Sequence, residues 1–198
     1  MKKLIAFAAL ATAAIATPAL AGTLAGEVRL GDLRGGKANT TEYNVEAWDS
    51  LYGVKVGAEL QAIQGNGSGP INALLSAKAG LAGPAVAGIQ SLAFVEAGEA
   101  FSQKVTTRVG TRNVVTGGNH EFWGAGVNLK RDLIGPVALT AGYRHREGFD
   151  AADRLNEERL HAALTLNVNE KTALGATYYR TRGTTDSDAV GLGITRKF

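Results

Sequence analysis

Residues 158–168 read ERLHAALTLNV. Leu160, Ala162, Leu164, Leu166 and Val168 fall on one side of this stretch, with Arg159, His161, Thr165 and Asn167 on the other. Successive side chains of an extended chain point to opposite faces, so this alternation marks a β-strand with one apolar and one polar face. The pattern recurs on both sides of it. In 71–81, Ile71, Ala73, Leu75, Ala77, Ala79 and Leu81 alternate with Asn72, Ser76 and Lys78. In 122–130, Trp123, Ala125, Val127 and Leu129 oppose Gly124, Gly126, Asn128 and Lys130. In 136–146, Val137, Leu139, Ala141 and Tyr143 oppose Thr140, Arg144 and Arg146. Shorter or less regular versions occupy 23–33, 42–49, 54–63, 172–181 and 188–198, and 86–97 is apolar on both faces.

These segments make ten strands, and their joins alternate in length. The joins at 50–53, 82–85, 131–135 and 169–171 are short, whereas 34–41, 64–70, 98–121, 147–157 and 182–187 are longer. A membrane-spanning barrel has short periplasmic turns, longer external loops and an even strand count. The sequence therefore predicts an all-β, closed antiparallel transmembrane β-barrel of ten strands. Eight is the alternative, because 86–97 and 98–121 can be read differently.

Alternation alone does not say which face meets lipid, since a soluble barrel would hide its apolar face. The aromatics decide. Tyr43, Trp123, Tyr143 and Tyr178 lie on the apolar face near the external strand ends, where an interfacial girdle belongs. The polar face then lines the lumen and carries Glu27, Arg29, Glu46, Lys55, Glu59, Lys78, Lys130, Arg144, Arg146 and Arg159. With more bases than acids in that set, the expectation is a narrow, net positive passage with Arg144 and Arg146 at its external mouth.

The first 21 residues, MKKLIAFAALATAAIATPALA, read as a signal peptide rather than a strand. Lys2 and Lys3 form the positive region, Leu4 to Ile15 the apolar core, and Ala19-Leu20-Ala21 the cleavage pattern. Residues 22–198 are then the barrel. Cleavage would take two of the 21 Lys and Arg and none of the 18 acids, leaving a net charge of about +1. That removes the electrostatic argument for nucleic acid. With no Cys, there is no disulfide framework, thiolate metal site or Cys nucleophile.

The signal peptide, the alternating strands and the terminal Phe198 resemble the bacterial outer-membrane β-barrel superfamily, small porin-like barrels included. In such proteins a closing strand with a C-terminal aromatic is read by the barrel-assembly machinery. Gly193 and Phe198 match that signal and Arg196, where an apolar residue is usual, departs from it. The resemblance implies a place in the cell outer membrane, contact with lipid and lipopolysaccharide, and handling by periplasmic chaperones.

No catalytic constellation emerges. Lipid A deacylases pair a His with a Ser two residues on, but His145 is followed at that spacing by Glu147. His145, Asp150 and Asp153 sit in a mixed-charge loop, as do many solvated groups. His120-Glu121 and His145 could contribute to a metal site if loops met, but nothing in the sequence fixes that geometry, and scattered His at loop ends are usually solvated. Gly65-Asn66-Gly67-Ser68-Gly69-Pro70 lacks the Lys-Ser/Thr of a phosphate loop. The expectation is a non-enzymatic barrel without cofactor or metal, envelope-structural or a narrow channel for small solutes. The alternatives are a hydrolase of lipid or peptide, or an adhesin or receptor using the 98–121 and 147–157 loops.

Overall fold

A computed structural model describes residues 22–31, 40–65, 71–102, 105–109, 112–116, 118–149, 155–183 and 186–198. The signal-peptide reading, Asp150 and Asp153 lie outside them. Twelve strands form in chain order: β1 Thr23–Gly31, β2 Thr40–Leu51, β3 Val54–Gly65, β4 Ile71–Ala82, β5 Ile89–Phe101, β6 Val105–Val109, β7 Arg112–Thr116, β8 Asn119–Asp132, β9 Val137–Gly148, β10 Asn156–Asn167, β11 Thr172–Gly183 and β12 Ser187–Lys197. Ten of them close into an antiparallel barrel, in which β5 pairs with β8 and β12 returns to β1. The other two, β6 and β7, pair with each other as a separate two-stranded sheet between β5 and β8. The long segment expected at 98–121 is thus shorter as a loop, because β5 runs on to Phe101 and β8 starts at Asn119.

The short joins lie at one end. Tyr52-Gly53 and Ala87-Gly88 both have positive φ, 51° and 83° in the first pair and 51° and 76° in the second. That is the two-residue turn whose twist matches antiparallel strands, and glycine supplies its second position without steric cost.

Register fixes the dimensions. The pairing offsets round the ten strands add to a shear of about twelve residues, which gives a tilt of about 40° and a backbone radius of about 10 Å. A tube of that radius is filled by large side chains from its own wall. On the outside, Leu160, Leu164, Leu166, Leu174, Leu192 and Ile194 are exposed although apolar. At about 3.4 Å per residue and that tilt, the outer run from Leu160 to Val168 stands about 20 Å tall, close to the ~25 Å apolar band of a membrane barrel.

The one ambiguous strand has a simple explanation. On β5 the residues Ala93, Val95 and Ala97 face outward, while the inward set includes Phe94, a buried ring filling the lumen. Phe94 lies across its cross-strand partner Gly126. A Cβ at position 126 would stand 2.5 Å from the Phe94 ring and 2.8 Å from the Tyr143 carbonyl oxygen. Gly126→Val is therefore expected to destabilise the barrel by about 1–3 kcal/mol through overpacking. Gly175→Ala, whose Cβ would meet atoms no nearer than 3.8 Å, should leave the urea midpoint unchanged. Urea titration read by gel mobility of the folded form compares the two.

Candidate lumen site

The inward positions are odd on β1 and β3, even on β4, β5, β8 and β9, and odd on β10, β11 and β12; on β2 they are the even ones. Each of the ten charged residues assigned from sequence to the lumen has that parity. Arg29, Glu59, Lys78, Arg144, Arg146 and Arg159 are buried. Glu27 and Glu46 lie beside them. Lys55 and Lys130 sit at the short-turn end instead, where Lys55 donates to Ser50 Oγ at 2.5 Å and Lys130 pairs with Asp132 at 3.4 Å.

Glu59 is the hub. It is 2% exposed and stands on β3, with β4, β5 and β8 between it and β9. From the far wall Arg144 Nη1 donates to Glu59 Oε2 at 2.9 Å, and Arg146 Nη2 to the same oxygen at 2.8 Å. Lys78 Nζ lies 2.9 Å from it and 2.5 Å from Glu46. Arg146 is fully buried and also donates to Glu96 through Nε at 2.8 Å and Nη2 at 2.9 Å. Its guanidinium lies 5.1 Å from the Phe122 ring centroid. These bonds run across the lumen, so they tie opposite walls together. A charge in so enclosed a place persists only when paired, and here each acid and base has a charged partner.

A second cluster lies against β1, β10 and β11. Arg29 Nε donates to Glu27 Oε2 at 2.6 Å, and its Nη1 bonds Glu42. Arg159 Nη1 donates to Glu42 at 3.3 Å. Tyr179 Oη donates to Glu27 at 2.6 Å, with the Arg29 guanidinium 4.2 Å from its ring centroid. Trp48 and Phe94 pack edge-on, centroids 5.9 Å apart, with Lys78 Nζ 5.6 Å from the Trp48 ring.

Three lumen acids escaped the sequence reading: Glu42, Glu96 and Glu157. With them six acids face the seven bases, or five bases once Lys55 and Lys130 at the short-turn end are set aside, and the net positive passage is corrected to a nearly balanced network. Arg144 and Arg146 are not at an external mouth; both are buried among Glu59, Glu96, Gln61 and Glu157.

Toward the short-turn end the lumen opens into a vestibule of about 240 Å³, with small residues such as Ala163, Thr165, Gly175, Thr177, Gly193 and Thr195 on its wall. It shares Arg29, Glu46, Asn128, His161 and Tyr179 with a deeper chamber of about 100 Å³. Gly193 thus lines the vestibule. Phe198 is half-exposed beyond β12, and its backbone N–H donates to Gly22 O at 3.0 Å.

Outside, Tyr43, Trp123, Tyr143 and Tyr178 all carry the outward parity and stand toward the long-loop ends of their strands. Charges cluster above them: Tyr178 Oη donates to Asp188 at 3.0 Å, and His145 lies against Trp123 and 3.8 Å from Glu147. Among the described residues no group of three or more His, Asp or Glu could hold a metal.

No family model and no curated protein matches the sequence. Solved structures do match the fold. The β-domain of the Bordetella autotransporter BrkA is similar over 90% of this chain and 100% of that one, with a TM-score of 0.55 and 13% identity. The chain has the fold of the bacterial outer-membrane β-barrels. A KdgM porin, solved in complex with disordered oligogalacturonate, is similar over 89% of this chain and 99% of that chain, with a TM-score of 0.52 and 6% identity. The exposed apolar side chains form a belt round the outside of the barrel, as in a membrane barrel. Closure leaves no strand edge to lipid, where each unpaired N–H or C=O costs several kcal/mol.

Proposed function

We propose that this outer-membrane barrel is a non-enzymatic envelope protein whose lumen is held shut by its own ion pairs, leaving a polar vestibule on the periplasmic side. One observation carries the reading: Arg144 and Arg146 reach across the lumen to Glu59, and these three side chains are buried. Opening a passage for solutes would require breaking several charge-assisted bonds at once. The short turns point to the periplasm and the long joins outward.

Within the same reading, residues 1–21 are a cleaved signal peptide, Gly193 and Phe198 belong to the signal read by the assembly machinery, and the four aromatics are an interfacial girdle touching lipid and lipopolysaccharide. Intact mass of the protein from outer membranes should correspond to a chain starting at Gly22. Deleting Phe198 should lower the yield of inserted barrel while leaving expression unchanged.

The decisive functional test is liposome swelling. Proteoliposomes should swell in a small sugar no faster than protein-free liposomes, and unheated protein should migrate on gels differently from heated protein. Rapid swelling selects the open-channel reading. Cleavage of lipid or peptide by the folded barrel selects the hydrolase.

A further inference from the structure

The lumen is sealed differently on its two sides. Against β3, β5, β8 and β9 the cross-lumen network and the buried rings of Phe94 and Phe122 fill the section. Along β1, β11 and β12 it is not filled. Three cavities stand there in a row: the vestibule of about 240 Å³ at the short-turn end, the chamber of about 100 Å³, and a third of about 30 Å³. The third is walled by Gly31, Thr40, Ser187 and Ala189, at the long-loop ends of β1, β2 and β12. The cause lies in β12, whose inward positions 189, 191 and 193 are Ala, Gly and Gly and put no bulky side chain into the lumen.

Among the described residues, Arg29 and Tyr179 are the two that border all three cavities. They are also the two shared by the vestibule and the uppermost cavity, so the partition between those spaces is made by two side chains. Arg29 stands opposite Gly191 in the β1–β12 pair, with its guanidinium 4.2 Å from the Tyr179 ring centroid. It is held by Glu27 on its own strand and by Glu42 on β2. These ties run along one side of the barrel, whereas those of Arg144 and Arg146 cross it. We propose that the row of cavities is a narrow passage for water and small cations, shut at one place by Arg29 seated over Tyr179. The proposal rests on the closed lumen argued above and names the point at which it opens. The uppermost cavity, about the volume of one water, sets the width. With Arg29 removed, two acids, Glu27 and Glu42, line the gap against one base, Arg159, which Glu157 also shares. A constriction with more acid than base favours cations. The bonds of Glu59 to the far wall need not break.

Arg29→Ala in planar bilayers is the test, with Phe122→Ala beside it. Phe122 is fully buried but borders none of the three cavities, so shortening its ring opens space that the passage does not use. Gel mobility first establishes that each variant is folded. Arg29→Ala should give channel steps absent from the wild type, with a reversal potential in a KCl gradient displaced toward potassium, and Phe122→Ala should stay silent. A folded but silent Arg29→Ala, an anion-leaning step, or equal steps from Phe122→Ala overturns the proposal. If Arg29→Ala does not fold, Tyr179→Ala removes the other half of the partition and is read in the same way. Steps from the wild type would count against the closed lumen itself; the role of Arg29 then stands if Arg29→Ala enlarges them and falls if it leaves them unchanged.

Discussion

Glu59→Ala is expected to lower the stability of the folded barrel by about 3–5 kcal/mol, the cost of leaving buried charge without its counter-ion. Arg144, Arg146 and Lys78 all converge on this one carboxylate. Glu46, Glu96 and Glu157 remain nearby, but each already serves one of those bases. The lost stability should appear as a fall in the urea midpoint at constant slope, read by gel mobility or by Trp48 and Trp123 fluorescence. Glu147→Ala is the control. Its side chain is half-exposed on the outer face, and the expected change is within about 0.5 kcal/mol. Equal effects for the two would mean that the lumen network contributes little.

The second large effect separates the two faces of one strand. Leu164 and Thr165 are neighbours on β10; Leu164 is exposed on the outer face, and Thr165 lines the vestibule. Arginine at 164 is expected to cost about 2–4 kcal/mol, since it sits near the middle of the lipid-facing band. Arginine at 165 should cost far less, because its head reaches water through the vestibule. A one-residue slip in register exchanges the faces completely, so it would reverse the order of these two costs. Refolding into vesicles over a urea series measures both.

The wall of the barrel is legible in the sequence because a β-strand repeats every two residues. Leu160 through Val168 could be sorted into faces without knowing any partner, and the parity of all ten lumen charges follows from that. The strand ends are less legible. Glu42 opens the 42–49 stretch just ahead of the alternation that starts at Tyr43, and Glu157 precedes the one starting at 158, so neither was placed inside. Glu96 was hidden for another reason: Phe94 fills the lumen, which makes 86–97 apolar on both faces. These three omissions turned a nearly balanced network into an apparent excess of bases. Nor could the pairing itself be read. Glu59 meets Arg146 across 87 residues of chain, and only closure of the barrel and its shear bring them level. The vestibule left no signal either, since Thr, Ala and Gly at inward positions look alike whether they face packed side chains or open space.

Planar-bilayer recording of the wild-type barrel tests the central claim most directly, that buried ion pairs across the lumen close it. After insertion, verified by protease protection of the embedded strands, the membrane should show no steady channel steps at moderate voltage. Reproducible, long-lived open steps from the wild-type protein would contradict the account.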